Sequence, residues 1–170
     1  MTAFRSADSL DGDRPARCRY MSDFTGARLY VYARSFGTVL QIDGEIDSSN
    51  AMSVAEVIRR FARLKTPLIL DLSHLDFLSI DGFRALLVLN NEHQQARVHC
   101  SVVAGNAMLP LLHIVNAHGL PVVGSVAEAL QLIEDIVRAQ RQLRSEMFRY
   151  RQPRHEAGRI AAVPSDNVKV

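Results

Sequence analysis

Residues 68–87 read Leu-Ile-Leu-Asp-Leu-Ser-His-Leu-Asp-Phe-Leu-Ser-Ile-Asp-Gly-Phe-Arg-Ala-Leu-Leu. The run Pro67-Leu68-Ile69-Leu70-Asp71-Leu72 is short and almost wholly apolar, the pattern of a strand buried on both faces of a sheet. From Ile80 to Gln95 the residues take helical spacing. Phe83, Ala85, Leu86, Leu87, Val88 and Leu89 make that helix apolar around most of its circumference near the start, so it is expected to be largely buried. Upstream, Ala27–Ala33 and Thr38–Ile42 read as strands joined by the tight turn Ser35-Phe36-Gly37. Behind them Ser48-Ser49-Asn50 offer helix caps, and Ala51, Val54, Ala55, Ile58, Phe61 and Ala62 recur at helical spacing. A strand–helix–strand unit from Thr38 to Leu72 is long enough for a right-handed crossover. The sheet therefore has a parallel part, and the loops after Ile42 and Leu72 fall at the same end of it.

Further along, Val98–Val103 reads as a strand, and Asn106 caps a predicted helix with Met108, Leu111, Leu112 and Val115 on one stripe before Gly119 ends it. A short strand over Leu120–Val123 leads to the capping box Ser125-Val126-Ala127-Glu128 and a last helix that runs on to about Phe148. The predicted class is α/β, a mixed sheet of about five strands with about four helices. Residues 1–25 show no sustained apolar period and are expected to form a disordered leader, 26–145 the domain, and 146–170 a basic, disordered tail.

The 170 residues are 48% hydrophobic and 22% charged, which fits one ordinary domain and excludes fibrous or wholly disordered classes. No apolar run approaches the roughly 18 to 20 residues that cross a bilayer, and the first residues lack the apolar centre of a signal peptide, so a cytoplasmic location is expected. Two cysteines, Cys18 and Cys100, lie in unlike surroundings and carry no zinc spacing. None of the six histidines is paired at the helical spacing that would aim two rings at one metal, so neither metal nor cofactor is expected. Residues 1–137 carry a net charge of −3 and 138–170 one of +5. Charge alone lets such a tail meet nucleic acid, but cations this dispersed read first as a solvated end, and nucleic acid is not the expected partner. Self-association is left open. Nucleotide-binding, hydrolase and zinc-protease motifs are absent. Asp43, Glu45, Asp47, Asp71, Asp76 and Asp81 gather near strand ends, but an aspartyl-phosphate switch needs a nearby lysine, and Lys65 and Lys169 both lie elsewhere. These carboxylates are expected to be solvated loop residues.

The stretch Asp71-Leu72-Ser73 through Ser79-Ile80-Asp81-Gly82 resembles the central segment of STAS domains of the anti-sigma factor antagonist family. In that family a buried strand ending in Asp-Leu-Ser leads to Asp-Ser-Ser-Gly or Asp-Ser-Thr-Gly at a helix start. Gly44-Glu45-Ile46-Asp47 resembles the family's Gly-x-Leu-Asp, and the order of elements matches from Arg28 to Val137, about two thirds of the chain. The resemblance implies a non-catalytic regulator of transcription that binds a kinase-fold anti-sigma factor and frees a sigma factor, until the kinase phosphorylates the Ser or Thr after the Asp. Aligned on Gly82, Ser79 stands where the family has Asp, Ile80 at the phosphoacceptor and Asp81 at the second hydroxyl. Isoleucine has no nucleophilic oxygen, so the usual switch is lost at Ile80. The partner surface implied by the resemblance comprises Asp47, Ser48, Ser49, Leu78, Ser79, Ile80, Asp81, Gly82 and Arg84, with Ile80 either anchoring the partner or packing under the loop. Ser79 is a possible substitute phosphoacceptor, though as an N-cap its hydroxyl is already engaged. A diverged ligand-sensing or scaffold module and a phosphotransfer protein modified on Ser79 are the alternatives.

Overall fold

The computed structural model describes residues 18–115 and 119–150. Residues 1–17, most of the expected leader, and 151–170, most of the expected tail, lie outside the described residues. The elements in chain order are β1 (Cys18–Phe24), β2 (Ala27–Ala33), β3 (Thr38–Ile46), α1 (Ala51–Ala62), β4 (Leu68–Asp71), β5 (Leu75–Leu78), α2 (Ile80–Gln95), β6 (Cys100–Val103), α3 (Leu109–Ile114), β7 (Val122–Val123) and α4 (Val126–Tyr150). The chain divides into two compact units, Met1–Val137 and Arg138–Val170.

The first unit is built on a mixed sheet in the order β1-β2-β3-β4-β6-β7, with β5 paired to β3. β1, β2 and β3 are antiparallel neighbours, whereas β3–β4, β4–β6, β6–β7 and β3–β5 are parallel. Alternation along the strands sends side chains to two faces. On β4, Leu68 and Leu70 join the larger core with Ile58, Leu86 and Leu89 of α1 and α2, while Ile69 joins Val39, Val103, Ala129 and Ile133 beneath the first turns of α4. The continuous apolar pattern of residues 68–72 thus has its physical reason: both faces of this strand are covered.

Seven strands replace the expected five. The first addition is β1, which corrects the leader boundary: residues 18–24 pair antiparallel with β2. Its polar, mostly exposed sequence has one partner strand and little core to fill, so no apolar period marks it. The second is β5, read as loop, in which Leu75 and Leu78 are buried and Asp76 and Phe77 between them exposed, so no period-2 alternation marks it. It follows β4 along the same edge of β3. Gln41 is the last β3 residue opposite β4, and Gly44 the first opposite β5.

Three local readings also change. Asp71 is buried rather than solvated, because its Oδ1 accepts from the Ser73 amide at 3.1 Å and hydroxyl at 2.6 Å. α3 starts at Leu109 with Pro110 in its first turn, and Met108 rather than Asn106 is at the cap position. Residues 146–150 continue α4, so the expected tail boundary falls inside a helix. Ser125, by contrast, caps α4 as expected: its Oγ accepts from Glu128 N at 3.1 Å, and Glu128 Oε2 accepts from Gly124 N at 2.7 Å.

Candidate functional site

The sheet brings residues 44–50 and 75–84 together through the β3–β5 pair, with Ile46 opposite Leu78. The ladder continues one step past the strands, where Ser79 N donates to Ile46 O at 2.8 Å. Ser79 is extended and caps α2: its Oγ accepts from Gly82 N at 3.0 Å, and its carbonyl accepts from Phe83 N at 2.9 Å. Gly82 is required for this approach. A β-carbon there would stand 2.7 Å from Ile46 Cγ2 and 2.8 Å from Leu78 Cδ1. Gly44 has φ +92°, and a β-carbon on it would collide with the Gly26 carbonyl oxygen.

Residues 47–50 form a second hydrogen-bonded turn. Asp47 Oδ1 accepts from the Ser49 hydroxyl at 2.6 Å, the Ser49 amide at 2.8 Å and the Asn50 amide at 3.3 Å. The Ser49 hydroxyl, then the surrounding amides, hold the Asp47 carboxyl below its usual range. Neither Ser48 nor Ser49 caps α1, which corrects the expected role of these serines; Asn50 occupies the cap position without a side-chain cap bond. The buried Asn50 amide instead donates to Thr25 O and Glu45 O, both at 2.8 Å, and its Oδ1 accepts from Asp47 N at 3.1 Å. Asn50 thereby joins the β1–β2 turn, the end of β3 and the start of α1.

Of the residues assigned to a partner surface, Ser48, Ser49, Ile80, Asp81 and Arg84 are exposed, and Asp47 and Ser79 are half-buried. Leu78 and Gly82 are buried, because Leu78 belongs to the larger core and Gly82 rests against it; both hold the surface in place and do not face outward. Ile80 is 61% exposed, so it does not pack under the loop. Arg84 points outward, with its Nη1 3.7 Å from Asp81 Oδ1.

An open groove of about 430 Å³ runs from these loops between α1 and α2, lined by Ser48, Met52, Asp81, Arg84 and Val88 among others. Met52 is 69% exposed, and Val88, expected on the buried circumference of α2, is instead 51% exposed because it lies on the side of the helix turned away from the sheet. Met52 falls outside the apolar stripe that helical spacing marks on α1, whereas nothing in the sequence sets Val88 apart from its apolar neighbours on α2. At the far end Arg59 ties the helices together, its Nε and Nη2 donating to Glu92 at 2.8 and 3.1 Å. That pairing lowers the Glu92 carboxyl pKa and raises that of the guanidinium. A second, polar cleft of about 340 Å³ is lined by Arg28, Asp43, His74 and Asp76. Among the described residues no group of three or more His, Cys, Asp or Glu is placed to hold a metal, and no helix is long and apolar enough to cross a membrane.

A likeness to known proteins supports this picture at the level of fold. The chain is similar to an anti-sigma factor antagonist from Mycobacterium paratuberculosis, with 23% identity and a TM-score of 0.59 over 66% of this chain and 98% of that one. It is also similar to a variant of RsbS from Moorella thermoacetica, with 13% identity and a TM-score of 0.53 over 65% and 97% of the two chains. In sequence it is 33% identical over 126 residues to Osmosensory protein A of Mycobacterium tuberculosis, covering 71% of this chain and 80% of that protein. The profile of the STAS domain matches residues 31–129, from β2 through the first turn of α4 and across both loops of the site, and the chain belongs to the STAS domain family.

Proposed function

We propose that this chain is a non-catalytic bacterial regulator, acting in the cytoplasm, that binds a kinase-fold anti-sigma factor and relieves its hold on a sigma factor. The contact surface is formed by residues 45–49 and the outward-facing residues of 79–84. One observation carries the reading: Ile80 stands exposed at the first position of α2, beside a groove bordered by Met52, Val88 and Arg84. Exposed apolar side chains rimmed by charge suit a protein partner better than water. A phosphate at this helix start would add close to two negative charges to the contact and drive a partner off. Ile80 has no oxygen to accept one, so control of this protein lies outside the family's switch. Ser79 is a poor substitute, since its hydroxyl already holds the Gly82 amide.

Affinity capture from lysate of the source organism, with wild type and Ile80→Glu compared, tests the proposal. Capture of an anti-sigma kinase-fold protein by wild type, lost in a folded Ile80→Glu variant, is the expected result. Equal capture by both, or capture of no such protein, overturns it. A ligand-sensing role is the second reading, favoured by the polar cleft of Arg28, Asp43, His74 and Asp76 and by the name of Osmosensory protein A. A thermal-shift panel of small polar solutes separates the two, because the antagonist reading predicts no shift. A phosphotransfer role on Ser79 predicts a mass gain of one phosphoryl group with a suitable donor, which intact-mass spectrometry reads directly.

A further inference from the structure

β1 is an edge of the sheet: it pairs with β2, and no other strand meets its far side among the described residues. The phase of its hydrogen bonds follows from the neighbouring ladder. Glu45 N donates to Gly26 O at 2.8 Å, so the even-numbered residues of this stretch bond β3, and the odd-numbered Ala27, Leu29 and Val31 bond β1. Opposite those three lie Phe24, Ser22 and Tyr20. Met21 and Asp23, between them, therefore turn their N–H and C=O groups away from the sheet as an unpaired row of donors and acceptors. The irregularity in the β1–β2 register falls between Cys18 and Tyr20, short of these two residues. Large apolar side chains stand exposed beside that row, Tyr20 at 45% and Met21 at 55%.

The order of side chains along β1 identifies the strand that fits it. Laid antiparallel against a second copy of itself about Met21, the strand sets Met21 opposite Met21, Tyr20 opposite Ser22, and Arg19 opposite Asp23 at both ends. Arg19 and Asp23 are exposed, and neither forms an ion pair among the described residues. Antiparallel pairing thus matches opposite charges twice, whereas in-register parallel pairing sets Arg19 against Arg19 and Asp23 against Asp23. The two Tyr20 side chains take diagonal positions within reach of each other, on the face where Tyr20 already meets Phe61 of α1 with ring centres 5.9 Å apart. We propose that two copies of this chain pair antiparallel through β1, with the two-fold axis at Met21, so that their sheets become one. Such an interface is isologous, closes as a dimer and leaves neither copy with this edge open.

Mass measurement of the full chain by sedimentation equilibrium, combined with single-cysteine crosslinking, tests this pairing. Wild type is expected at twice the mass of one chain. Met21→Pro removes an outward N–H at an edge position where proline is tolerated, and is expected at the mass of one chain with unchanged circular dichroism. Arg19→Asp is expected to dissociate the pair, and Arg19→Asp combined with Asp23→Arg to restore it. In a Cys18→Ser background, Met21→Cys lies on the two-fold with its Cα atoms about 5.5 Å apart and crosslinks under mild oxidation. Native Cys18 does not, because its two copies stand about 20 Å apart along the strands. A wild type of single mass overturns the proposal, whether residues 1–17 or nothing at all lies on the edge. So does a dimer that survives Met21→Pro, a charge exchange that leaves the pair dissociated, or crosslinking through Cys18 in place of Met21→Cys, which indicates another register. The charge exchange and the crosslinks decide the matter even if Met21→Pro fails to fold.

Discussion

At position 80 a large apolar side chain stands in water at the start of a helix, and replacing it costs the fold little. Ile80→Glu is expected to change unfolding free energy by less than about 0.5 kcal/mol, as for most surface substitutions, while abolishing partner capture. Denaturant unfolding run beside the capture separates those effects. Ile80→Ser restores the missing hydroxyl: incubated with the cognate kinase and ATP it is expected to gain one phosphoryl group at residue 80, with none there in wild type, read by mass spectrometry. Gly82 is the opposite case, invisible at the surface and demanding inside. Gly82→Ala drives a methyl group into Ile46 and Leu78, and overpacking of this kind costs about 1–3 kcal/mol in urea unfolding.

Between elements, α1 and α2 meet through Arg59–Glu92 near the end of the groove, and beside that pair His93 is buried on α2. Neither ring nitrogen of His93 has a hydrogen-bond partner among the described residues. Burial lowers its pKa below the ordinary 6.5, so the folded imidazole stays neutral where the unfolded one takes up a proton. The unfolded state then binds more protons, and stability is full above pH 6.5 and falls as the pH drops below that value. The limiting slope is about 1.4 kcal/mol per pH unit for this one group. Subtracting the profile of His93→Leu from that of wild type isolates the effect among six histidines. A difference independent of pH between 4 and 7, on the order of the range where a depressed imidazole titrates, contradicts it. Cys100, with its thiol pushed up to about 12 by burial, is expected to stay unmodified by thiol reagents at neutral pH while the exposed Cys18 reacts.

For the whole molecule, both apolar cores are assembled from residues between Phe24 and Val137. A chain shortened to end at Gln140 is therefore expected to melt within a few degrees of the full chain by circular dichroism, and a collapse of the transition contradicts that division of the core. Much of this architecture was legible in the sequence for a local reason. The unbroken apolar run at 68–72, the helical spacing at 51–62 and the Ser125–Glu128 capping box each encode their own element through short-range geometry. The convergence of the two loops followed from the parallel crossover between β3 and β4, and Ser79 declared itself as a cap. What the sequence did not carry was whatever depends on a distant neighbour. β1 is a strand only because β2 offers an edge, β5 only because β3 outruns β4, and Asp71 is buried only because Ser73 folds back to satisfy it. Whether Ile80 faced the core or water, and that Met52 and Val88 border the same groove, were decided by how α1 and α2 settle against the sheet. Residue types and spacing set the local elements of this protein, and exposure at its surface was settled by packing between segments far apart in the chain.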